Sequence, residues 1–360
     1  MQKIFTADKI FTGTDWLPDH AIIADDEKII DVLPVVSLPP KATLSHHSFI
    51  IAPAFIDVQI YGAAEKLFAA YPEKSSLEKL YTHCVSGGAQ YFLPTVATNT
   101  IEVFYKCIDA IKSYWAQNGK GVLGIHLEGP WINKLKRGAH IEELIHAPTL
   151  QEVKALLAYG KGVIKIITLA PEVCTAEIIE CILSENIIIS AGHSNATFME
   201  ATNAFDNGIP TATHLFNAMS PLHHREPGLP AAVMQHSSAM ASIIPDGYHV
   251  HFEMISIAKQ IMQDRLFIIT DAVTETSEGC YPHHLTGDKY ESNGILSGSA
   301  LTMAKGVKNL VNKTNIELSE ALRMASLYPA RLLGLSNTLG MIKKGYAANF
   351  ISLDEQLNVI

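Results

Sequence analysis

The sequence predicts an α/β protein: a (β/α)8 TIM-like barrel together with a small β-sandwich domain that both chain ends form. From Ile50 onward, apolar runs alternate with helical segments in about eight βα units over roughly 230 residues. Residues 1–50 and 338–360 instead contain short stretches that are typical of antiparallel strands. The first central strand is not followed by the GxGxxG motif that would favour a doubly wound sheet.

The two chain ends have similar patterns. The stretches KIFTADKIFTG and HAIIADDEKIIDVLP lie near the amino end, and GMIKKGYAANFISLD lies near the carboxyl end. Chain termini commonly lie close together, so both ends can contribute to one small domain. We therefore expect a β-sandwich domain from residues 1–50 and 338–360, and a catalytic barrel domain from residues 51–337.

The barrel strands are predicted from short, β-branched apolar runs, as expected for buried parallel strands. These runs are Ile50–Val58, Gln90–Val96, Gly121–Leu127, Val163–Leu169, Asn186–Ser190, Thr211–Thr213, Ala239–Ile244 and Leu266–Thr270. Segments with helical periodicity or composition lie between them: Leu77–Ser86, Ile101–Trp115, Leu150–Leu157, Ala176–Leu183 and Asn195–Phe205. The polar segment Thr274–Ser299 breaks this alternation and is either a hairpin insertion, which could cover the barrel mouth, or a plain surface excursion.

Composition limits the classes of partner. The chain has 360 residues and a formal net charge of −9, which argues against nucleic acid or an anionic membrane, because both require concentrated positive charge. No run approaches the roughly 18 apolar residues of a membrane span, and the first residues do not have the pattern of a secretory leader. The five cysteines form no CxxC pair. We therefore expect a cytoplasmic protein with reduced thiols.

Polar residues of ligand type follow the predicted strands. They are Gln59, Glu128, His193, His214, Asp246, His249 and Asp271. The carboxyl ends of barrel strands face one mouth, so these side chains should lie close together. Any one of the 16 histidines is more often structural than a ligand, but His193 and His214 follow successive strands. With Glu128 they form a set that suits Zn²⁺ or Fe²⁺ and leaves a position open for water.

Other strand-end residues suggest further roles. Asp271, in FIITDA, is the candidate general base, which takes a proton from water and passes it to a leaving amine. Its alternative role is a helix N-cap. Arg225 and His249 are candidates for binding an anionic group, and the pair Asn217 and Ala218 could add amide donors. Five histidines lack a strand-end context and are predicted to be structural or exposed, namely His83, His146, His236, His283 and His284.

Eight motifs extend the pattern along the chain: HLEGPWIN, TLAPE, AGHSNAT, THLFNAM, REPGL, DGYHV, TDA and GILSGSALTM. In number, order and spacing they resemble the N-acetylglucosamine-6-phosphate deacetylases of the amidohydrolase superfamily, from about residue 10 to about residue 352. The resemblance implies a metal-bearing (β/α)8 barrel with a small β-sandwich. It also implies hydrolysis of the N-acetyl group of N-acetylglucosamine 6-phosphate in amino-sugar catabolism.

The resemblance implies a role for each matching residue. Glu128, His193 and His214 would bind the metal, and Asp271 would be the catalytic acid and base. His140 would contact the sugar or acetyl group, and Leu296 would lie near the acetyl methyl. The sugar phosphate would be held by Asn217, Ala218, Arg225 and His249. The resemblance also implies a homodimer, in which Arg225 can come from the neighbouring subunit, as the arginine does in related enzymes.

One departure from the superfamily pattern concerns the metal count. Many amidohydrolases have His-x-His after the first strand, which binds a second metal, whereas this chain has Gln59 and Tyr61. Glutamine and tyrosine are poor ligands here, so we predict one divalent metal per chain, Zn²⁺ before Fe²⁺, Co²⁺ or Mn²⁺, with Gln59 as a vestigial metal or water contact. Tyr61, where relatives often have Asn, and Ala54, where Gly is usual, are local departures.

Three other functions stay open. A related amidohydrolase could deacetylate the galactosamine epimer or an acylated amino acid. A metal-dependent sugar-phosphate isomerase could use the same barrel, and release of acetate would distinguish the two classes. A catalytically silent sugar-phosphate sensor would be expected to have lost its metal ligands or its acid and base, yet all of them are present.

Overall fold

A computed structural model of the chain describes residues 2–39, 45–276, 278–292 and 294–360. Residues 1 and 40–44 of the predicted terminal domain lie outside this description, as do residues 277 and 293 of the predicted insertion. Among the described helices, none combines the length and the hydropathy that a membrane span requires.

The strands of the described residues are β1 (Lys3–Phe11), β2 (Trp16–Pro18), β3 (His20–Ala24), β4 (Ile29–Pro34), β5 (His46–Pro53), β6 (Phe55–Ile60), β7 (Gly62–Ala63), β8 (Lys66–Leu67), β9 (Ala89–Ala97), β10 (Ile125–Glu128), β11 (Ile164–Leu169), β12 (Ile188–Ala191), β13 (Thr211–Ala212), β14 (Met240–Ile243), β15 (Leu266–Ile268), β16 (His284–Thr286), β17 (Lys289–Ser292), β18 (Ile295–Ser299) and β19 (Phe350–Leu353). The α-helices are α1 (Lys74–Ser86), α2 (Ile101–Ala116), α3 (Leu150–Tyr159), α4 (Ala176–Ser184), α5 (Phe198–Asp206), α6 (Gly228–Gln235), α7 (Phe252–Met262), α8 (Met303–Lys313), α9 (Leu318–Ala325) and α10 (Leu327–Leu332).

Eight parallel strands form the central sheet, in the order β6, β9, β10, β11, β12, β13, β14 and β15. A parallel bridge between Ile60 and Ala272 connects the two edges of this sheet, so the barrel nearly closes on itself. Every residue of β6 is buried, as expected where one strand face lines the barrel interior and the other packs against helices. The predicted (β/α)8 barrel is confirmed.

Helix starts follow from local capping. Thr149 and Glu152 form a capping box at the start of α3, and Thr197 and Glu200 form another at the start of α5. The second box starts α5 at Phe198, so the residues directly after His193 form a turn rather than the predicted first helical turn. This turn leaves His193 on a short connection at the barrel mouth.

The two chain ends form a β-rich unit, as predicted. One six-stranded sheet has the order β19, β5, β1, β3 and β4, and β2 pairs with β1. Buried isoleucines from both ends, including Ile10, Ile22 and Ile342, pack together in it. The strand β5 runs across residue 50 and leads directly into β6, so the proposed bounds of 1–50 and 338–360 stay a prediction.

The predicted insertion after the last barrel strand is a hairpin structure. Strands β16, β17 and β18 form a three-stranded antiparallel sheet. Hydrogen bonds from the Val273 amide to the Ser299 carbonyl and from the Ser299 amide to the Asp271 carbonyl hold its two ends together. The insertion therefore leaves and rejoins the barrel at the carboxyl end of β15, beside the mouth.

Candidate active site

A cavity opens at the carboxyl ends of the barrel strands. Nine of the predicted site residues line it: Glu128, His140, His193, His214, Asn217, Ala218, His249, Asp271 and Leu296. Gln59 is buried and bonds to two of these carboxylates from outside the lining. Arg225 is exposed. It is not among the described residues that line the cavity.

The strand-end residues reach the mouth through an unusual backbone conformation. His193, His214 and Asp271 have φ values of 47°, 37° and 54°, in the left-handed region that non-glycine residues rarely adopt. Such conformations cost free energy and persist where the surrounding structure holds them. Here they turn the chain sharply after each strand, so that three ligand-type side chains face the same cavity.

Three ligand atoms converge at the centre of the site. Nε2 of His193 lies 3.1 Å from Nε2 of His214, and the two nitrogens lie 3.3 and 3.2 Å from Oε1 of Glu128. Nδ1 of His193 lies 2.9 Å from the Lys136 carbonyl, so it carries the proton and leaves Nε2 with a lone pair. Ligands about 2.0–2.1 Å from a tetrahedral zinc ion are separated by about 3.3 Å, so these three residues fit a metal ion.

A second trio overlaps the first. Ligand atoms of Glu128, His140 and His193 also lie within 4.8 Å of one another. His140, however, faces the other oxygen of the carboxylate, with Nε2 3.1 Å from Oε2. The Thr98 amide donates to Nδ1 of His140, so Nε2 is the protonated nitrogen and donates to Glu128. The tighter set with His214 is therefore the better metal site, and His140 is a hydrogen-bond donor beside it.

Burial and neighbouring charges set the protonation of the site. Burial acts to raise the pKa of Glu128, but the imidazoles of His193, His140 and His214 hold that pKa well below its usual value. Burial lowers the pKa of His140 to about 4, and the neighbouring His193 ring acts in the same direction. Burial raises the pKa of Asp271 even though His214 and His249 act in the opposite direction. Glu128 is thus an anion, His140 is neutral, and Asp271 is a stronger base than an exposed carboxylate.

Gln59 and Tyr61 bind the two carboxylates from the β6 side. Nε2 of Gln59 lies 2.9 Å from Oε1 of Glu128, 2.8 Å from Oδ1 of Asp271 and 2.8 Å from the Tyr61 hydroxyl. The Tyr61 hydroxyl donates to Oε2 of Glu128 at 2.5 Å. Gln59 and Tyr61, the two positions that bear on the predicted metal count, thus carry neutral groups that already hydrogen-bond the carboxylates.

The predicted phosphate-binding residues are only partly assembled. Asn217, Ala218 and His249 line the cavity, and Nδ1 of His249 donates to Oδ2 of Asp246 at 2.6 Å, which fixes the orientation of the ring. Arg225 lies on an exposed segment before α6, away from these three residues in the cavity lining. Three of the four predicted phosphate-binding residues therefore line the cavity of one chain, and Arg225 does not.

His283 is predicted to be either structural or exposed, and the structure excludes the second alternative, because His283 is buried and lines the cavity. Tyr281, from the same insertion, lines it as well. The other site residues were predicted because they directly follow barrel strands. This criterion cannot identify residues within an insertion. The useful signal would have been its attachment directly after Asp271, which puts its side chains beside the barrel mouth.

Comparison with known proteins identifies the family. The chain matches the amidohydrolase family over residues 50–359 and the NagA composite domain over residues 4–45. It is 34% identical to the N-acetylglucosamine-6-phosphate deacetylase of Haemophilus influenzae, covering 98% of this chain and 95% of that protein. It is 31% identical to the N-acetylgalactosamine-6-phosphate deacetylase of Escherichia coli O157:H7, covering 100% and 97%.

Solved structures of deacetylases resemble this chain over nearly its full length. The crystal structure of N-acetylglucosamine-6-phosphate deacetylase from Pasteurella multocida has a TM-score of 0.94 and 34% identity, covering 100% of this chain and 97% of that one. A Mycobacterium smegmatis deacetylase in complex with N-acetyl-D-glucosamine-6-phosphate has a TM-score of 0.90 and 26% identity, covering 99% and 96%. The chain therefore belongs to the amidohydrolase family, and the resemblance of its motifs to the N-acetylglucosamine-6-phosphate deacetylases is confirmed over its full length.

Proposed function

We propose that the protein hydrolyses the N-acetyl group of N-acetylglucosamine 6-phosphate, giving glucosamine 6-phosphate and acetate in amino-sugar catabolism. The observation that carries this proposal is the triangle of Glu128, His193 and His214 next to Asp271, in a chain with full-length deacetylase relatives. Amide hydrolysis needs an electrophilic centre for the carbonyl and a base for water, and this cavity contains residues for both.

Asp271 is the acid and base of the proposed reaction. Its carboxylate takes a proton from the attacking water and later gives that proton to the departing amine. The raised pKa brings the group closer to neutral pH, where such an exchange is most efficient. The hydrogen bond from Gln59 to Oδ1 leaves Oδ2 as the oxygen available for water.

Glu128, His193 and His214 would hold one divalent metal ion, Zn²⁺ before Fe²⁺, Co²⁺ or Mn²⁺. When bound, the metal supplies a Lewis acid, which polarises a carbonyl and makes water more acidic. His140, whose Nε2–H donates to Oε2 of Glu128 in this structure, would turn that proton toward the negative charge that develops on the carbonyl oxygen. Leu296, on the insertion, lines the cavity and would lie near the acetyl methyl.

Asn217, Ala218 and His249 would bind the phosphate, and Arg225 would complete this subsite from the second subunit of a homodimer. The exposed position of Arg225, outside the cavity of its own chain, supports a contribution in trans. Within the described residues all five cysteines are free thiols, which supports a reducing, cytoplasmic location.

Acetate release tests the proposal. The purified protein, after chelator treatment and dialysis, should release acetate from N-acetylglucosamine 6-phosphate only when Zn²⁺ or another divalent metal is added back. Elemental analysis of the reactivated protein should find one metal ion per chain. A protein that isomerises the sugar phosphate, or binds it without releasing acetate, would show that the proposed reaction is wrong.

The galactosamine epimer is a second candidate substrate, because a full-length relative is an N-acetylgalactosamine-6-phosphate deacetylase. Parallel assays with both phosphorylated epimers and with unphosphorylated N-acetylglucosamine separate the two candidates. We expect the highest kcat/KM for N-acetylglucosamine 6-phosphate and the lowest for the unphosphorylated sugar.

A further inference from the structure

The insertion contributes an imidazole to the same cavity that the metal-binding set lines. His283 has 6% of its surface exposed and lines the cavity together with Tyr281, Leu296 and Ser297 of the same insertion. Its chain neighbour His284 begins β16 and is exposed. The two adjacent histidines thus differ in environment, and only His283 belongs to the wall of the active site.

The His283 ring is held by one of its nitrogens. Nδ1 lies 2.9 Å from the Ser297 hydroxyl. Among the residues that the structure describes, no group hydrogen-bonds to Nε2. Because a hydroxyl can donate to Nδ1 or accept from it, Nε2 can be either an acceptor or a donor. The ring therefore presents one hydrogen-bonding atom to whatever occupies the cavity.

The position of the ring is coupled to the barrel. The rings of Tyr281 and His283 are nearly parallel, with centroids 6.2 Å apart and an interplanar angle of 9°. The Tyr281 hydroxyl donates to the Thr98 carbonyl at 2.5 Å, and the Thr98 hydroxyl lies 2.7 Å from Nδ1 of His140. Hydrogen bonds thus connect the insertion to the wall that carries His140, and His283 is placed relative to the reacting centre.

We propose that His283 is a substrate-binding residue whose Nε2 hydrogen-bonds a ring hydroxyl of the amino sugar and so helps to select its stereochemistry. This inference rests on the proposed function, because it takes an N-acetylated sugar phosphate as the occupant of the cavity. It adds a specificity-determining residue from the insertion to the set predicted from the barrel strands.

A neutral hydroxyl is the ligand that this imidazole fits. Burial, together with the charge of His284, lowers the pKa of His283 to about 4, so the ring is neutral at working pH. A neutral ring has no charge to offer a phosphate, and the phosphate-binding candidates Asn217 and His249 come from other loops of the barrel. A site that hydrogen-bonds a substrate hydroxyl discriminates against analogues that lack it, since its own polar group is then left unpaired.

The test uses the metal-loaded full-length protein and three variants. His283→Leu removes both ring nitrogens, His283→Gln keeps an amide at about the reach of Nε2, and His284→Leu is the matched control on the exposed neighbour. Substrates are N-acetylglucosamine 6-phosphate, its galactosamine epimer, and the 3-deoxy and 4-deoxy analogues of the first. Melting temperature and metal content are measured for every protein, so that a folding or metal defect is recognised.

We expect His283→Leu to raise KM for N-acetylglucosamine 6-phosphate about tenfold while kcat changes less than about twofold, because the bond is present in ground and transition states alike. His283→Gln should recover part of this loss, and His284→Leu should match wild type. The wild type should discriminate against one of the deoxy analogues, and His283→Leu should abolish that discrimination.

Two results would overturn the inference: unchanged KM in His283→Leu, or an equal loss on every analogue including both deoxy sugars. If His283→Leu does not fold, the same comparison is made with His283→Gln, whose preference among the analogues must differ from that of wild type. Failure of the proposed function is distinguishable, because wild type itself would then release no acetate from any of these substrates.

Discussion

At the scale of single residues, the site depends on the hydrogen bond that each imidazole makes through Nδ1, because that bond orients the ring. The Lys136 carbonyl fixes the His193 ring, and the Thr98 amide fixes the His140 ring. The two rings consequently play opposite roles beside the same carboxylate: His193 presents a lone pair and His140 presents a proton. The presence of a histidine does not by itself show whether its Nε2 acts as a metal ligand or as a hydrogen-bond donor. The hydrogen-bond partner of Nδ1 does show this, because it decides which nitrogen carries the proton.

Replacing Asp271 tests the proton-transfer step. Asp271→Asn keeps an oxygen for the Gln59 hydrogen bond but cannot accept a proton, so turnover should fall by about 10²–10⁴-fold. Metal content, measured by elemental analysis, should stay unchanged because Asp271 is outside the proposed ligand set. Asp288→Asn, on an exposed carboxylate paired with Lys305, is the control and should retain activity. Wild-type acetate release by Asp271→Asn would contradict the mechanism.

Replacing Tyr61 tests the hydrogen bond to the proposed metal ligand. Tyr61→Phe removes the donor to Oε2 of Glu128, and loss of such an outer partner typically weakens metal binding by about 10- to 100-fold. Competition with a chromogenic chelator measures the change in zinc affinity. Tyr159→Phe is the matched control, because it removes a tyrosine hydroxyl that donates to the surface carboxylate of Asp109. The zinc affinity of this variant should equal that of wild type. Equal affinities for both variants would show that Tyr61 does not support the ligand.

Strand-end position predicted Glu128, His193, His214 and Asp271, because a barrel brings the ends of its strands to one mouth. The same logic could not find His283 or the bond from Tyr61 to Glu128. His283 enters the cavity from an insertion, and the Tyr61 bond depends on how a buried hydroxyl is directed between two strands. The position of His283 and the Tyr61 hydrogen bond both depend on how distant segments pack across the barrel mouth. The residue pattern within one segment gives no information about that packing.

At the scale of elements, the barrel strands were predicted well because their sequences are mostly apolar and are separated by turn residues and helical segments. The first predicted run, Ile50–Val58, instead divides between β5 of the terminal sheet and β6 of the barrel. Both strands are buried, so hydropathy does not change where the chain passes from one sheet to the other. The break falls at Pro53 and Ala54, where the Ala54 amide donates to the Asn349 carbonyl rather than to a barrel strand.

The seam that closes the barrel contains a buried carboxyl with an unusual pKa. Asp57 on β6 accepts hydrogen bonds from the Thr270 hydroxyl, beyond β15, and from the Thr270 and Gln59 amides. Burial raises its pKa to about 7 although these hydrogen bonds act in the opposite direction. The free energy of unfolding should therefore depend on pH through this group.

The sign follows from proton binding. Asp57 has a pKa of about 7 when folded and about 4 when unfolded, so between these values the folded chain holds the extra proton. Its contribution to the free energy of unfolding is complete below about pH 4 and falls as pH rises toward 7, by up to about 1.4 kcal/mol per pH unit. The melting temperature of wild type relative to Asp57→Asn should thus decrease from pH 5 to pH 7. If the difference in melting temperature between the two proteins stays constant from pH 5 to pH 7, the pKa of Asp57 is not raised.

At the scale of the whole molecule, the terminal sheet has a small hydrophobic cluster of its own and also contributes residues to the core of the barrel. Phe11 and Ile50 from the amino end and Ile351 from the carboxyl end belong to the same buried cluster as the barrel residues. The chain ends therefore support the barrel instead of forming a separate appendage. The predicted set of phosphate-binding residues is incomplete in the cavity of one chain, since Arg225 is exposed and is not part of the lining.

Mixing two inactive variants tests whether Arg225 acts across a dimer. Arg225→Ala should raise KM for the phosphorylated substrate strongly, and Asp271→Asn should be nearly inactive. In a mixed dimer with the arginine donated in trans, the Arg225→Ala subunit keeps Asp271 and receives Arg225 from its Asp271→Asn partner, so one of the two sites is complete. Random exchange in a two-fold symmetric dimer gives about half mixed dimers, and so about a quarter of wild-type activity at low substrate. If Arg225 serves its own chain, neither site of the mixed dimer is complete, and the mixture should show only the average of its two components.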